Sequence, residues 1–320
     1  MATYLVTGGA GFIGSHLVDG LVSRGNRVRV LDNLSTGNIS NLDSVRDRIE
    51  FVEGDITDLE TVRRACRGVE VVFHQAALAS VPRSVANPMA THRACVDGTL
   101  NVLVSARDSG VRRVVYAASS SAYGNSVRLP KSESDPTSPL SPYAVAKLAG
   151  ENYCAAFSQV YNLETVRLRY FNVFGPRQSP DNAYAAVIPL FLQSLSQGRR
   201  PTVFGDGSQS RDFTFVADVV QANLLAAEAP GVSGKVFNVA CGRQTSLLDL
   251  ISHMNEMIGT RIKPVLAAPR PGDVQHSLAD IRRAKTELGY NPTTDVPTGL
   301  RMCLEWYRER APLSSAVAAA

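Results

Sequence analysis

The segment Tyr4-Leu5-Val6-Thr7-Gly8-Gly9-Ala10-Gly11-Phe12-Ile13-Gly14 constrains this chain more than any other. A short apolar run ends in closely spaced glycines. Ile13, Leu17 and Leu21 then recur every four residues, the stripe of a helix packed on a core. Gly9, Gly11 and Gly14 match G-x-G-x-x-G, and Gly8 adds a fourth glycine. The pattern alone is weak, since a plain tight turn also produces it. Between a strand and a helix it is a dinucleotide fingerprint: the glycines let the backbone turn tightly and approach a pyrophosphate, whose charge the helix N-terminus favours. Gly25-Asn26 stops that helix, and residues 28–32 read as a second strand ending in Asp32. A carboxylate at that place can bind the ribose 2′- and 3′-hydroxyls and repels a 2′-phosphate. NAD is therefore expected over NADP.

Residues 51–55, 69–74, 113–118 and 164–171 read as strands three to six. The stretches near 57–67, 88–109 and 143–161 between them carry helical spacing. Strands alternating with helices predict an α/β fold, a Rossmann-type doubly wound parallel sheet covered on both faces. Past residue 175 the pattern changes. Residues 176–189 are polar and loop-rich, 201–207 suggest a short strand and turn, 236–240 another strand, and 247–258 and 280–288 helices. We expect a dinucleotide-binding domain over 1–175 that includes the helix near 143–161. Residues 176–311 should form mainly a smaller substrate lobe, partly interleaved with the sheet, followed by a frayed tail over 312–320.

Hydrophobic residues make up 44% and charged residues 19%, which excludes a disordered chain. Lys plus Arg exceed Asp plus Glu by 33 − 29 = +4, too small an excess to imply nucleic acid. The cysteines at 66, 95, 154, 241 and 303 are odd in number and far apart, with no C-x-x-C. Disulfides and a zinc site are not expected, and a reducing, cytoplasmic setting fits. The five His have no metal-ligand spacing; His74 is expected buried near the cofactor, and no metal is expected. No apolar run approaches the length of about 18 residues that a membrane helix needs. The start of the chain lacks a basic stretch followed by an apolar one, so no secretory signal is expected.

Tyr143-Ala144-Val145-Ala146-Lys147 puts a phenol and an ammonium at i and i+4, on one helix face. A Tyr is a poor base at neutral pH, and a nearby cation favours its phenolate. A surface pair would give the same spacing, but the neighbours sharpen the reading. Ser119-Ser120-Ser121 ends strand five, Asp55-Ile56 strand three and His74-Gln75-Ala76-Ala77 strand four, where open α/β sheets bind ligands.

Together TGGAGFIG, Asp32-Asn33, GDI, HQAA, SSSAYG, YAVAK and RYFNVFGPRQ resemble an extended short-chain dehydrogenase/reductase, and within it the nucleotide-sugar 4-epimerases. The similarity runs from about residue 3 to 307. HQAALASVPRS, LSPYAVAK, RYFNVFGPRQ, AYAAVIP, GDGSQSRDF and RPGDVQHS look most like UDP-N-acetylglucosamine 4-epimerases. The resemblance implies that NAD⁺ stays bound and Tyr143 takes the proton of the sugar 4-hydroxyl as a hydride leaves C4. The 4-keto sugar swings about its linkage to the diphosphate, and the hydride returns to the opposite face. Lys147 lowers the Tyr143 pKa and holds the nicotinamide ribose. Ser119, four residues before Tyr123, is the favoured catalytic hydroxyl; the triple serine leaves Ser120 and Ser121 open.

By the same resemblance the cofactor contacts are Gly8, Gly11, Phe12, Ile13, Gly14, Asp32, Asn33, Ser35, Thr36, Gly37, Asp55, Ile56, Gln75, Ala76, Ala77, Tyr143, Lys147 and Tyr170. The UDP-sugar contacts are Ser80, Ser119, Ser120, Ser121, Tyr143, Asn172, Ala186, Val187, Ile188, Val203, Phe204, Arg211, Arg270, Asp273 and Ser277. Arg211 and Arg270 would take the diphosphate, since guanidinium forks suit phosphate oxygens. Asp273 would take the nucleotide ribose; Val187, Ile188, Val203 and Phe204 would flank the uracil. Ser277 would form one wall of the sugar pocket, with Ala186 beside it. Epimerases restricted to UDP-glucose and UDP-galactose tend to carry Tyr there, and a small residue leaves room for a C2 acetamido group. A homodimer is expected through helices near 92–109 and 143–161. One departure stands out: Cys95-Val96-Asp97-Gly98-Thr99 has Cys where the family usually has Asn, which could loosen the nicotinamide side.

Other readings fit less well. A 4,6-dehydratase wants an Asp-Glu pair where Ser120-Ser121 stand, and a UDP-glucuronate decarboxylase wants Glu there. Exchangeable NADPH in a 4-keto-sugar reductase is disfavoured by Asp32. A UDP-glucose 4-epimerase without N-acetyl preference and a UDP-glucuronate 4-epimerase stay open. A dinucleotide-sensing binding protein would typically have lost Tyr143 or Lys147, and both are present.

Overall fold

Side chains that alternate across Thr3–Thr7 (β1) go to two different cores. Val6 points to one with Phe73, Val115 and Leu168, and Leu5 to the other with Val72, Val114 and Tyr116. That alternation is the period of a strand covered on both sides. The computed structural model describes residues 2–179, 186–269 and 274–310. Its central sheet adds Arg27–Asp32 (β2), Ile49–Glu53 (β3), Val71–His74 (β4), Arg113–Ser119 (β5), Glu164–Tyr170 (β6) and a seventh strand, Lys235–Val239. Every pairing in it is parallel, in the order seventh–β6–β5–β4–β1–β2–β3. The order reverses between β1 and β4, and a doubly wound sheet opens its ligand crevice at that switch. Helices Phe12–Ser23 and Val216–Glu228 cover one face; Leu59–Cys66, Gly98–Asp108 and Pro142–Val160 cover the other.

Three further helices, Val187–Ser196, Leu247–Ile258 and Val296–Arg310, enclose a separate apolar core containing Leu192, Leu250 and Leu300. Short strand pairs edge this lobe: Thr202–Phe204 with Val265–Ala267, and Ser210–Arg211 with Thr245–Ser246. The chain leaves the sheet after β6 and returns to it for Val216–Glu228 and Lys235–Val239, so sheet and lobe are interleaved.

Three of these helices are absent from the sequence reading. Residues 187–189 fall in the stretch that reads as loop-rich, and 296–310 carry no element in that reading; Pro189 and Pro297 both fall in the first helical turn, where the missing N–H would have no intrahelical partner. Val216–Glu228 buries Asp218 and Asn223 among its apolar residues, which breaks the stripe that marks a helix. Strand three begins two residues earlier than read, at Ile49, and the helix read from residue 280 begins at Arg282. The expected frayed tail at 312–320 lies outside the described residues.

Candidate active site

The glycine turn owes its shape to backbone crowding. Gly8 has φ +70°, and a Cβ on it would stand 2.7 Å from the Ala76 backbone. A Cβ on Gly14 would stand 2.1 Å from the Gly8 carbonyl oxygen. Helix Phe12–Ser23 therefore starts directly against β1 and β4. No side chain caps it and no acidic residue stands in its first turn. Its positive end is left open to an anion. Asp32 closes β2, buried, accepting hydrogen bonds from Ala10 N at 2.9 Å and Leu34 N at 2.8 Å. Burial raises its pKa, and those two amides offset part of the rise. Asn33 continues the rim, donating to Asp55 Oδ2 at 2.7 Å and accepting from the Ser35 hydroxyl at 2.7 Å.

These groups line one end of a cavity of about 1570 Å³. Drug-sized ligands occupy pockets of about 300–1,000 Å³, so this one has room for a dinucleotide and a second large molecule end to end. All the expected cofactor contacts line it: Gly8, Gly11, Phe12, Ile13, Gly14, Asp32, Asn33, Ser35, Thr36, Gly37, Asp55, Ile56, Gln75, Ala76, Ala77, Tyr143, Lys147 and Tyr170. An uncapped helix end for a diphosphate, a buried carboxylate for a ribose diol and an elongated cleft fit NAD.

At the middle of the cavity Ser141 caps helix Pro142–Val160, its hydroxyl accepting from Ala144 N at 3.2 Å, which sets Tyr143 in the first turn. Tyr143 is half-buried in the wall, and the Ser119 hydroxyl is the polar side chain that acts on its phenol. Of the three serines, Ser119 is the one so placed. It also accepts from the Ser121 hydroxyl at 2.8 Å and from Ser121 N at 3.2 Å, so Ser121 orients it. Burial pushes the Tyr143 phenol well above 10, Cys95 adds to the rise, and Ser119 draws it back. Lys147, one turn on, is buried with its ammonium 4.7 Å from the centre of the Tyr116 ring, and burial lowers its pKa. The sequence reading has Lys147 lowering the Tyr143 pKa; in the structure burial of the phenol raises it.

His74 is buried behind this centre. The Thr99 hydroxyl donates to the Cys95 carbonyl at 2.7 Å, so it accepts from His74 Nε2 at 3.0 Å. Nδ1 must then accept from the Thr7 hydroxyl at 2.7 Å, which makes the imidazole neutral. Burial, with Lys147 assisting, pushes its pKa down to about 3. Cys95 sits on a π-helical turn, Arg93–Asp97, buried against Ala77, Ala146 and Ala149. Cys95 is not among the described residues that line the cavity.

Ser80, Ser120, Asn172, Ala186, Arg211 and Ser277 also line the cavity, with Ser119 and Ser121. Asn172, at φ +33°, donates to the Asp212 carbonyl at 3.0 Å. Ser277 is buried, its N–H bonded to the Ser210 carbonyl at 3.0 Å. Val187, Ile188, Val203 and Phe204 are not brought to the cavity. Ile188 and Val203 are sealed in the lobe's own core, because the helix that starts at Val187 turns Ile188 inward. Arg270 and Asp273 lie outside the described residues.

Two neighbours went unread in the sequence. Gln178 lines the cavity with its side-chain carbonyl buried and unpartnered among the described residues. The motif RYFNVFGPRQ contained it, but a Gln carries no titration signal. Asp212 is fully buried and accepts from Cys241 N, Gly242 N and Ala279 N at 2.9–3.2 Å, clamping the strap that carries Ser277. Burial pushes its pKa up to about 6. Among the described residues no group of His, Cys, Asp or Glu could hold a metal ion, and no helix is long and apolar enough to cross a membrane.

Residues 4–240 match the NAD dependent epimerase/dehydratase family. A UDP-N-acetylglucosamine 4-epimerase from Methanobrevibacter ruminantium, solved with UDP-N-acetylmuramic acid, is 37% identical with a TM-score of 0.93; the match covers 97% of this chain and 99% of that one. A UDP-glucose 4-epimerase from Thermotoga maritima, solved with UDP-glucose, is 39% identical with a TM-score of 0.92, covering 96% and 99%. A UDP-glucose 4-epimerase from Mycolicibacterium smegmatis is 41% identical over 311 residues, 96% of this chain and 99% of that protein.

Proposed function

The chain belongs to the NAD-dependent epimerase/dehydratase family, where it is a UDP-sugar 4-epimerase with NAD as cofactor, and on that premise we propose that it interconverts UDP-GlcNAc with UDP-GalNAc in preference to UDP-Glc with UDP-Gal. Tyr143 and Ser119 in the wall of one cavity, with Lys147 one helical turn from the phenol, is the observation that carries the chemistry. NAD, when bound, supplies a reversible two-electron acceptor for C4. Tyr143 takes the proton of the C4 hydroxyl and returns it once the 4-keto sugar has presented its other face. Ser119 acts on that phenol and can hold the same hydroxyl. The buried Lys147 ammonium favours the phenolate while the proton is away. Gly8, Gly11 and the helix at Phe12 would hold the cofactor's diphosphate and Asp32 its ribose. Arg211 and Asn172 would take the substrate diphosphate.

The N-acetyl preference rests on volume. Ser277 and Ala186 both line the cavity, and both are small. The sugar must offer either face to the cofactor, so a C2 acetamido group needs space in two orientations. A Tyr ring at 277 would fill that space, and overpacking costs about 1–3 kcal/mol, roughly a tenfold to hundredfold loss. Purified protein incubated with UDP-GlcNAc, UDP-Glc and UDP-GlcA, with products separated chromatographically, tests the reading. The acetylated pair should interconvert fastest; faster turnover of UDP-GlcA or UDP-Glc would overturn the preference. Ser277→Tyr should suppress turnover of UDP-GlcNAc by that factor and spare UDP-Glc. Equal losses on both would remove Ser277 as the gate. We further propose a homodimer formed through Pro142–Val160 and its neighbouring helix.

A further inference from the structure

The catalytic helix carries a third polar residue on the face of Tyr143 and Lys147. Glu151 follows Lys147 by four residues and Tyr143 by eight, so the three lie along one side of the helix. Glu151 lines no part of the cavity. It is bound instead to Arg169 of β6 by two hydrogen bonds, Nε to Oε2 at 2.9 Å and Nη2 to Oε1 at 2.6 Å. Both side chains are 4% exposed. Arg169 sits in register beside Ala118, the residue before Ser119. Its guanidinium lies 4.7 Å from the centre of the Tyr123 ring, and Tyr123 closes the turn that Ser119 opens. The Tyr123 hydroxyl is in turn bonded to Asn238 Oδ1 at 2.7 Å.

A buried ion pair is a poor means of stabilisation. Removing two charges from water offsets most of their attraction, and apolar residues of similar volume often serve as well or better. Its geometry is another matter. A forked, two-bond contact has one satisfactory alignment, whereas apolar packing tolerates sliding. Here the fork joins the helix that carries the base and the ammonium to the strand beside Ser119. The same guanidinium stacks on the ring at the end of the serine turn.

We propose that Glu151 and Arg169 are positioning residues, which set Tyr143 and Lys147 against Ser119 and the cofactor ribose without touching either ligand. The proposal rests on the epimerase reading for its turnover test, but not for its binding test. The decisive variant is Glu151→Met/Arg169→Met, assayed as purified full-length protein for thermal unfolding, UDP-GlcNAc turnover and NAD affinity by calorimetry. The variant should fold with a lowered unfolding temperature, because Arg167, 11% exposed and 4.0 Å from Glu151, loses its acidic neighbour. The value of kcat should fall about tenfold to hundredfold, since a misplacement of about 1 Å can cost that much. KM for UDP-GlcNAc should stay within about twofold, and NAD should bind more weakly as Lys147 shifts. A folded double variant with wild-type kcat and wild-type NAD affinity would overturn the proposal, because a merely structural pair predicts that result. Should that variant not fold, Arg169→Lys keeps the charge and loses the fork. It should fold with the same loss of kcat and NAD affinity, and wild-type values would refute the idea equally. A wild type inactive on every UDP-sugar would sink the epimerase reading, and the NAD affinities would still decide this one.

Discussion

Tyr143 was the most legible residue in the chain, because a phenol and an ammonium four apart on a helix carry a chemical reason for their spacing. Its depth was not legible. Burial holds the phenol above its ordinary pKa, so the charge needed for proton transfer must come from Lys147 and the bound cofactor. Tyr143→Phe should fold, retain NAD and lose at least about a hundredfold in kcat, the share usual for a general base; near-normal turnover would remove Tyr143 from that role. His74 lay within HQAA and reads as a buried histidine, but its two threonine partners come from 67 and 25 residues away and no local pattern predicts them. They make a second prediction. Its folded pKa, about 3, is below the ordinary 6.5, so between those values the unfolded chain binds a proton that the folded chain refuses. Stability from His74 is therefore present above pH 6.5 and lost as pH falls towards 3. Asp212 works in the opposite sense, since its raised pKa favours the folded state at low pH and that contribution disappears as pH rises through about 6. The wild-type curve blends both. The difference in unfolding free energy between wild type and His74→Asn isolates the histidine. Denaturant titrations should show that difference growing from pH 4 to pH 6.5, and a constant difference would mean that His74 does not titrate on unfolding.

Among the elements, the first half of the chain could be read closely and the second could not, for a physical reason. Strands buried on both faces appear as apolar runs, and the glycine turn announces its own geometry. Gly14 shows how little freedom that geometry has: a Cβ there meets the Gly8 carbonyl oxygen at 2.1 Å and Gly9 Cα at 2.9 Å, both backbone atoms that cannot turn aside. Gly14→Ala should cost at least about 1–3 kcal/mol by overpacking and should yield protein without bound NAD, as read by unfolding temperature and by nucleotide released on denaturation. Normal stability with full NAD content would show that the turn can relax. The lobe offers no such local signal. Helices Val187–Ser196 and Val296–Arg310 carry prolines in their first turns, and Val216–Glu228 hides behind polar residues recruited by distant partners. Asn223 is one of these, donating to the Tyr170 hydroxyl at 2.8 Å beside Gln75, so the cofactor end of the cavity depends on an element the pattern did not show. Likewise Val203 and Ile188 were assigned to the pocket by motif, while the helix and strand that carry them turn both into the core.

At the scale of the whole molecule, one surface is poorly suited to water. Helix Pro142–Val160 buries Cys154 and Phe157 against the sheet and Ala146 against Cys95, yet on its outer side Val145, Tyr153, Ala156 and Val160 stand exposed. With half-buried Ala149 they fall at steps of four, four, three and four residues, the seam spacing of a helix that packs on another helix. Tyr161, just past the helix, and Met89 are exposed as well. A stripe of this kind, running the length of the helix that also carries the catalytic pair, is the kind of patch that marks an interaction site. A second copy brings the same stripe by two-fold symmetry, and a self-complementary patch gives a closed dimer. Such pairing would also brace the helix whose inner face holds Tyr143, Lys147 and Glu151. Light scattering at micromolar concentration should give twice the 34.4 kDa chain mass. Tyr153→Arg together with Val160→Arg should shift the protein towards monomer without touching the cavity. A wild-type monomer under the same conditions would refute the dimer, and a dimer unaffected by both charges would place its interface elsewhere.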